Sequence, residues 1–89
     1  MAWRIEFDPA AAQELDKLDP QVARRILKFL SERVASSSDP RRLGEALKGS
    51  KLGELWKYRV GDYRIIARIE DRLLLILIVR IGNRREIYR

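Results

Sequence analysis

The chain has neither cysteine nor histidine among its 89 residues. Their joint absence removes disulfides, thiol nucleophiles, imidazole acid–base chemistry and the usual Cys/His zinc and haem sites. Any chemistry must therefore be built from Lys, Arg, Tyr, Asp and Glu, and neither a cofactor nor a metal is expected. Long apolar runs are missing too. The longest, Leu73 to Val79, falls far below the roughly 20 residues needed to span a bilayer, and the N-terminus lacks the charged, apolar and small-residue pattern of a secretory signal. A soluble, cytoplasmic protein with no membrane partner is expected. There is no internal repeat and no linker, and the one low-complexity stretch is Ser36 to Ser38. Residues 1–89 are expected to form one domain with one two-layer core. Domains of this size bury only about 60% of the surface their unfolded chain exposes, so a partner often adds stability.

What is present is positive charge, unevenly placed. The net charge is +6. Residues 1–40 hold 6 basic and 7 acidic side chains, whereas residues 41–89 hold 13 basic and 6 acidic, a balance of −1 against +7. Such asymmetry points to a polyanion met by the C-terminal half, with nucleic acid the first candidate and an acidic protein the second. A solvated basic face accounts for the charge equally well.

Three Asp-Pro pairs, Asp8-Pro9, Asp19-Pro20 and Asp39-Pro40, each precede a segment of helical character. Aspartate at an N-cap accepts a backbone N–H and suits the positive end of the helix dipole, while proline at the first helical position loses no needed donor. The second helix is the best defined, because Val22, Ile26, Phe29 and Leu30 share one stripe, and it is expected to end near Ser36 to Ser38. The first places Ala11, Leu15 and Leu18 on one face and forms a helical hairpin with the second. The third, around Arg41 to Leu47, contains Gly44 and is expected to last a turn or two. Ahead of the helices, Trp3, Ile5 and Phe7 alternate with Arg4, Glu6 and Asp8, the period of a half-buried strand.

After Gly49 the period becomes two. Trp56, Tyr58 and Val60 fall on one side and Leu55, Lys57 and Arg59 on the other. Gly61-Asp62 turns the chain into a second strand, in which Ile65, Ala67 and Ile69 oppose Arg64, Ile66 and Arg68. Asp71-Arg72 turns it again, and Leu73 to Ile81 is apolar at almost every position, as a central strand requires. The predicted architecture is α+β: an N-terminal strand and helical hairpin on one face of a mostly antiparallel four-stranded sheet. If the helices cover the apolar face, Lys57, Arg59, Arg64 and Arg68 share the bare one. Arg80, in phase with Leu74, Ile76 and Ile78, is expected to join them.

Three ordered blocks carry more specific information: Leu47-Lys48-Gly49, Leu55 through Arg64 (Leu-Trp-Lys-Tyr-Arg-Val-Gly-Asp-Tyr-Arg), and Ile81 through Tyr88 (Ile-Gly-Asn-Arg-Arg-Glu-Ile-Tyr). On these blocks the chain resembles the RelE/ParE toxin superfamily, over essentially its whole length and most strongly from Leu47 onward. The closing Arg-Arg-Glu-Ile-Tyr is more similar to the RelE branch of messenger RNA interferases than to the gyrase-poisoning ParE branch. The resemblance implies a microbial-ribonuclease-like fold. It also implies a type II toxin that enters the ribosomal A site and cleaves mRNA by attack of a ribose 2′-OH on the adjacent phosphate. A cognate acidic antitoxin is the implied partner, with operator DNA reached only through the toxin–antitoxin complex.

Carried over residue by residue, the resemblance makes Arg64 the strand arginine on the scissile phosphate and Arg84 a second arginine supporting the transition state. Guanidinium groups suit both tasks, since they stay charged and can hold two phosphate oxygens at once. Tyr88 matches the terminal tyrosine that orients, or exchanges a proton with, the 2′-OH. Lys57 matches the second of two strand lysines and is the candidate general base or acid. Arg59, Arg68, Arg80, Arg85 and Lys51 are candidates for RNA binding. Plainer readings stand beside these: arginines paired with Asp62 or Glu86, a Tyr88 that closes the sheet edge, and Trp56 and Tyr58 as core rather than base-stacking groups. The family's first lysine is replaced by Leu55, and a histidine common before the arginine pair by Asn83. Arg59, Lys51 or Arg80 is available to fill the gap. The alternative function is a ParE-like gyrase poison, or a catalytically weak homologue acting as an antitoxin-binding module.

Overall fold

The computed structural model describes residues 3–47 and 55–83. Strand β1 (Arg4–Phe7) leads into α1 (Pro9–Asp16) and α2 (Pro20–Phe29), and a π turn (Leu30–Val34) continues α2. A 3₁₀ turn (Pro40–Leu43) then precedes the two-residue strand β2 (Glu45–Ala46). Strands β3 (Leu55–Val60), β4 (Tyr63–Glu70) and β5 (Leu75–Asn83) complete the order, with a second 3₁₀ turn (Asp71–Leu73) between the last two.

All three Asp-Pro pairs cap helical segments. The Asp8, Asp19 and Asp39 carboxylates accept from the backbone N–H groups of Ala10, Gln21 and Arg41 at 3.2, 2.9 and 3.1 Å. Each cap satisfies an N–H that the helix itself cannot, and proline follows where no donor is needed. The third segment is shorter than expected, a 3₁₀ turn running into β2 rather than a helix to Leu47. The helical run after Asp19 closes at the π turn, where Ala35 N donates to Leu30 O at 2.8 Å. Across the widened last turn Val34 stays on the buried face with Ile26 and Leu30, all three at or below 1% exposed.

The sheet is mixed and five-stranded, in the order β1-β5-β4-β3-β2. The four expected strands are present, and β2 adds a fifth at the edge beside β3. The β3–β4–β5 meander is antiparallel, whereas β1 runs parallel to β5 with Ile5 beside Ile76 and Phe7 beside Ile78. The helical hairpin carries the chain from β1 at one sheet edge toward β2 at the other and covers one sheet face. Between that face and the helices lie Ala11, Ile26, Leu30, Val34, Tyr58, Ile65, Ala67, Ile76, Ile78 and Ile81. Gly61, with φ of +60°, makes the two-residue turn between Val60 and Tyr63, a backbone region that glycine enters at little cost.

One strand departs from simple alternation. The β4–β5 register steps from Ala67 opposite Ile78 to Ile66 opposite Arg80, leaving Val79 over as a bulge. The bulge changes how Arg80 reaches the open face: Ile76 and Ile78 are core, Leu74 lies before the strand, and the extra residue moves Arg80 out of their line to sit opposite Ile66, on the face that carries Lys57. Without the bulge an arginine would point into the core, so the insertion re-aims the side chain. Among the described residues no helix is long and apolar enough to cross a membrane.

Candidate nucleic-acid interface

The bare face of the β3–β4 hairpin carries the cations. Register places Arg59 directly opposite Arg64, Lys57 opposite Ile66 and Leu55 opposite Arg68. Opposite residues share a face of the sheet, and alternation puts Trp56, Tyr58, Ile65 and Ala67 on the other. Two like charges placed opposite each other repel, and an anion held between Arg59 and Arg64 would relieve that repulsion; Arg59 Nε also donates to the Gly61 carbonyl of the turn at 3.3 Å.

The wall beside this pair comes from a part of the sequence the periodicity did not single out. Arg42, Leu43, Gly44 and Glu45 join Lys57, Tyr58, Arg59 and Arg64 around a groove of about 380 Å³. Gly44 is required by close approach: a Cβ there would lie 2.7 Å from the Lys57 carbonyl oxygen and 2.9 Å from Tyr58 Cε1. The next residue, Glu45, pairs in register with Lys57, and its Oε2 lies 3.5 Å from Lys57 Nζ. Among the described residues four cations and one carboxylate therefore line the groove, and Arg42 and Glu45 are the members that sequence reasoning missed. Their signal lay only in the third Asp-Pro pair, which started the turn that delivers them.

That turn is fastened from below. The Tyr58 hydroxyl donates to the Pro40 carbonyl at 2.8 Å, and its ring meets Phe29 edge-on at 6.1 Å between centroids. Burial pushes the phenol up to about 12, while the Arg41 charge opposes that shift and Asp39 adds to it. Tyr58 is thus a core group with a polar anchor rather than a stacking platform. Arg41 makes a bidentate pair with Asp71 at 3.0 and 2.8 Å and lies 5.8 Å from the centre of the Trp56 ring. The Arg41 hydrogen bonds hold the Asp71 carboxyl below its ordinary value. Trp56 is half-buried on the covered side, beneath this turn.

The remaining predicted residues are dispersed. Arg68 lies further along β4 with its Nε 3.9 Å from Glu70. Arg80 is drawn to α1, its Nε 3.7 Å from Glu14 Oε2, while Glu14 Oε1 accepts from Ile81 N at 2.9 Å where β1 no longer covers the β5 edge. Arg64 faces Gly82 and Tyr63 faces Asn83, so β5 ends beside the groove. Arg84, Arg85, Tyr88 and Lys51 lie outside the described residues. Among the described residues no group of acidic side chains could hold a metal ion.

A sheet backed by a helical hairpin, with guanidinium and ammonium groups gathered at one edge of its open face, defines a small α+β protein with a cationic groove. Comparison with known proteins narrows that class. The family model for the ParE toxin of type II toxin–antitoxin systems, parDE, matches residues 5–88. Toxin RelG of Mycobacterium tuberculosis is 30% identical over 89 residues, spanning 100% of this chain and 99% of that protein. The mRNA interferase toxin RelE of Escherichia coli K12 is 29% identical over 90 residues, spanning 99% and 92%. The crystal structure of the M. tuberculosis RelBE2 toxin–antitoxin complex superposes with a TM-score of 0.83 at 26% identity, covering 94% of this chain and 93% of that one. The chain belongs to the ParE toxin family within the RelE/ParE superfamily, and it is a RelE-like toxin of a type II toxin–antitoxin system.

Proposed function

We propose that the chain is a ribosome-dependent mRNA endoribonuclease, in which a ribose 2′-OH attacks the adjacent phosphate to leave a 2′,3′-cyclic phosphate and a 5′-hydroxyl. The observation that carries the reading is Arg59 opposite Arg64 on the bare face, with Lys57 on the same strand as Arg59 and all three lining one groove. Two fixed guanidiniums can hold the equatorial oxygens of a pentacovalent phosphate, where negative charge builds up as the 2′-oxygen attacks. Arg64 binds the scissile phosphate, Lys57 serves as general base or acid, and Arg84 and Tyr88 complete the site from the C-terminal segment. Arg59, Arg68, Arg85 and Lys51 guide the flanking RNA. The relative from E. coli is named an mRNA interferase, which supports the same chemistry. An acidic antitoxin, suggested by the RelBE complexes among the structural relatives, would neutralise the groove and block it, and operator DNA would be reached through that complex.

Expression without antitoxin, with message ends mapped on translated and untranslated transcripts, tests the reading. Growth arrest with cuts inside codons of translated messages is expected. Arg64→Ala, Arg84→Ala and Tyr88→Phe should each weaken cutting, and loss of one preorganised donor should cost about 10²- to 10³-fold. Leu55, Asn83 and the family model's ParE description favour a second reading, a gyrase poison or a weak homologue that binds antitoxin. Arrest with DNA breaks and intact messages would select it.

A further inference from the structure

We propose that Tyr58 is a positioning residue for RNA, the group that holds Arg42 in the groove as a ligand for a phosphate beside the one gripped by Arg59 and Arg64. The inference rests on the reading above in taking the ligand to be an RNA strand, and it adds two residues to which that reading gives no part.

The 3₁₀ turn that carries Arg42 is fastened at each of its other positions. Pro40 is fully buried, and its carbonyl accepts from the Tyr58 hydroxyl at 2.8 Å. Arg41 is engaged by Asp71 through two hydrogen bonds, and Leu43 packs against the core. Arg42 is the exposed residue of the turn, and among the described residues its side chain makes no ion pair. It lines the groove with Lys57, Arg59 and Arg64. A fourth cation beside three others adds repulsion that a bound phosphate relieves, and a guanidinium can hold two phosphate oxygens at once.

One ring sets the height of this turn. The Tyr58 hydroxyl reaches Pro40 at one end of the segment, and the ring edge lies against Gly44 at the other, where a Cβ would come within 2.9 Å of Cε1 and 3.0 Å of Cδ1. The chain from Pro40 to Gly44 therefore bows across a rigid plate, with Arg42 at its middle. On β3 the same residue stands between Lys57 and Arg59, whose side chains occupy the opposite face. Strand and turn are thereby locked at one separation. Successive phosphates of a strand have a spacing set by the sugar backbone, so a second phosphate ligand works only if its distance from the first is held. The hydroxyl hydrogen bond is buried, and water cannot replace it when it is lost.

The test is affinity for a short single-stranded RNA made uncleavable by a 2′-deoxy substitution, titrated with salt, beside kcat and KM on translated message. Arg42→Ala should weaken binding about 10-fold and flatten the salt slope by about 0.7. The loss should fall on KM rather than kcat, because a flanking phosphate is held alike before and during the reaction. Tyr58→Phe keeps the ring in the core and should weaken binding about 3-fold or more per folded molecule, with no further loss on an Arg42→Ala background and additive loss with Arg59→Ala. Gly44→Ala, which lifts the other end of the segment off the ring, should repeat that pattern. Ile65→Ala, which loosens the core elsewhere, should leave affinity per folded molecule intact.

An Arg42→Ala protein with wild-type affinity and slope would overturn the phosphate assignment. Wild-type binding by Tyr58→Phe would overturn the positioning role. So would a Tyr58→Phe loss that stays at full size without Arg42, or one matched by Ile65→Ala. Messages left uncut by a wild-type protein whose RNA binding still depends on Arg42 through Tyr58 would sink the ribonuclease reading and support this one.

Discussion

The two faces of the β3–β4 hairpin are written in alternate residues of one short stretch, yet they answer to opposite demands. On the covered face Tyr58, Ile65 and Ala67 are at most 1% exposed and pack beneath the helical hairpin. On the open face Lys57, Arg59, Arg64 and Arg68 keep contact with solvent. A slip of one residue in register would exchange the two sets, burying four cations and exposing the core. The apolar face therefore fixes the register, and the cationic face inherits its geometry from it. The register that buries the apolar set is what brings Arg59 opposite Arg64.

That division can be broken most forcefully from the covered side. Ile65→Ala removes a fully buried side chain from between helices and sheet and should cost about 2–5 kcal/mol in denaturant unfolding. Arg68→Ala, on the other face of the same strand, should stay within about 0.5 kcal/mol. RNA cleavage per folded molecule should survive the first change better than stability does. Equal destabilisation by the two substitutions would show that the faces are not separate.

Tyr58 joins the faces, because its ring belongs to the core while its hydroxyl secures the turn that bears Arg42 and Glu45. Tyr58→Phe leaves the Pro40 carbonyl without its donor in a buried place and should cost about 1–3 kcal/mol. The pH dependence has a definite sign. Folding raises the phenol from 10.0 to about 12, so its contribution is complete below pH 10 and is lost as pH climbs toward 12. The stability gap between wild type and Tyr58→Phe should thus be constant near neutrality and close over that alkaline window. A gap that persists unchanged to pH 12 would mean the phenol is not held as described.

Much of this was legible in the chain, for reasons that also explain the omissions. The Asp-Pro caps are local chemistry, readable without tertiary context, and all three mark real starts. Alternation identified both faces of β3 and β4 because one face is apolar and the other charged. β5 has no such contrast: Leu75 to Val79 is apolar throughout, so the bulge at Val79 that re-aims Arg80 left no mark in the pattern. β2 is too short to show a period, and it exists because Gly44 can approach the Lys57 carbonyl. The groove's second wall was hidden for that reason. Proximity of Glu45 to Lys57 is a product of the fold, and twelve positions of chain separate them.

The smallest expected effect sharpens the comparison within the basic surface itself. Arg59 lines the groove opposite Arg64, whereas Arg80 is engaged by Glu14 on α1, away from the groove-lining set. Binding of single-stranded RNA releases counterions in proportion to the phosphates neutralised, with a slope of about −0.7 in log affinity against log salt for each. Arg59→Ala should therefore flatten the slope by about 0.7 when affinity for uncleavable RNA is titrated with salt. Arg80→Ala should leave it nearly unchanged, since Glu14 already balances that charge. A loss of slope at Arg80 equal to that at Arg59 would show that RNA pulls Arg80 away from Glu14. The phosphate path would then run from the groove across β5 to the edge that Glu14 caps.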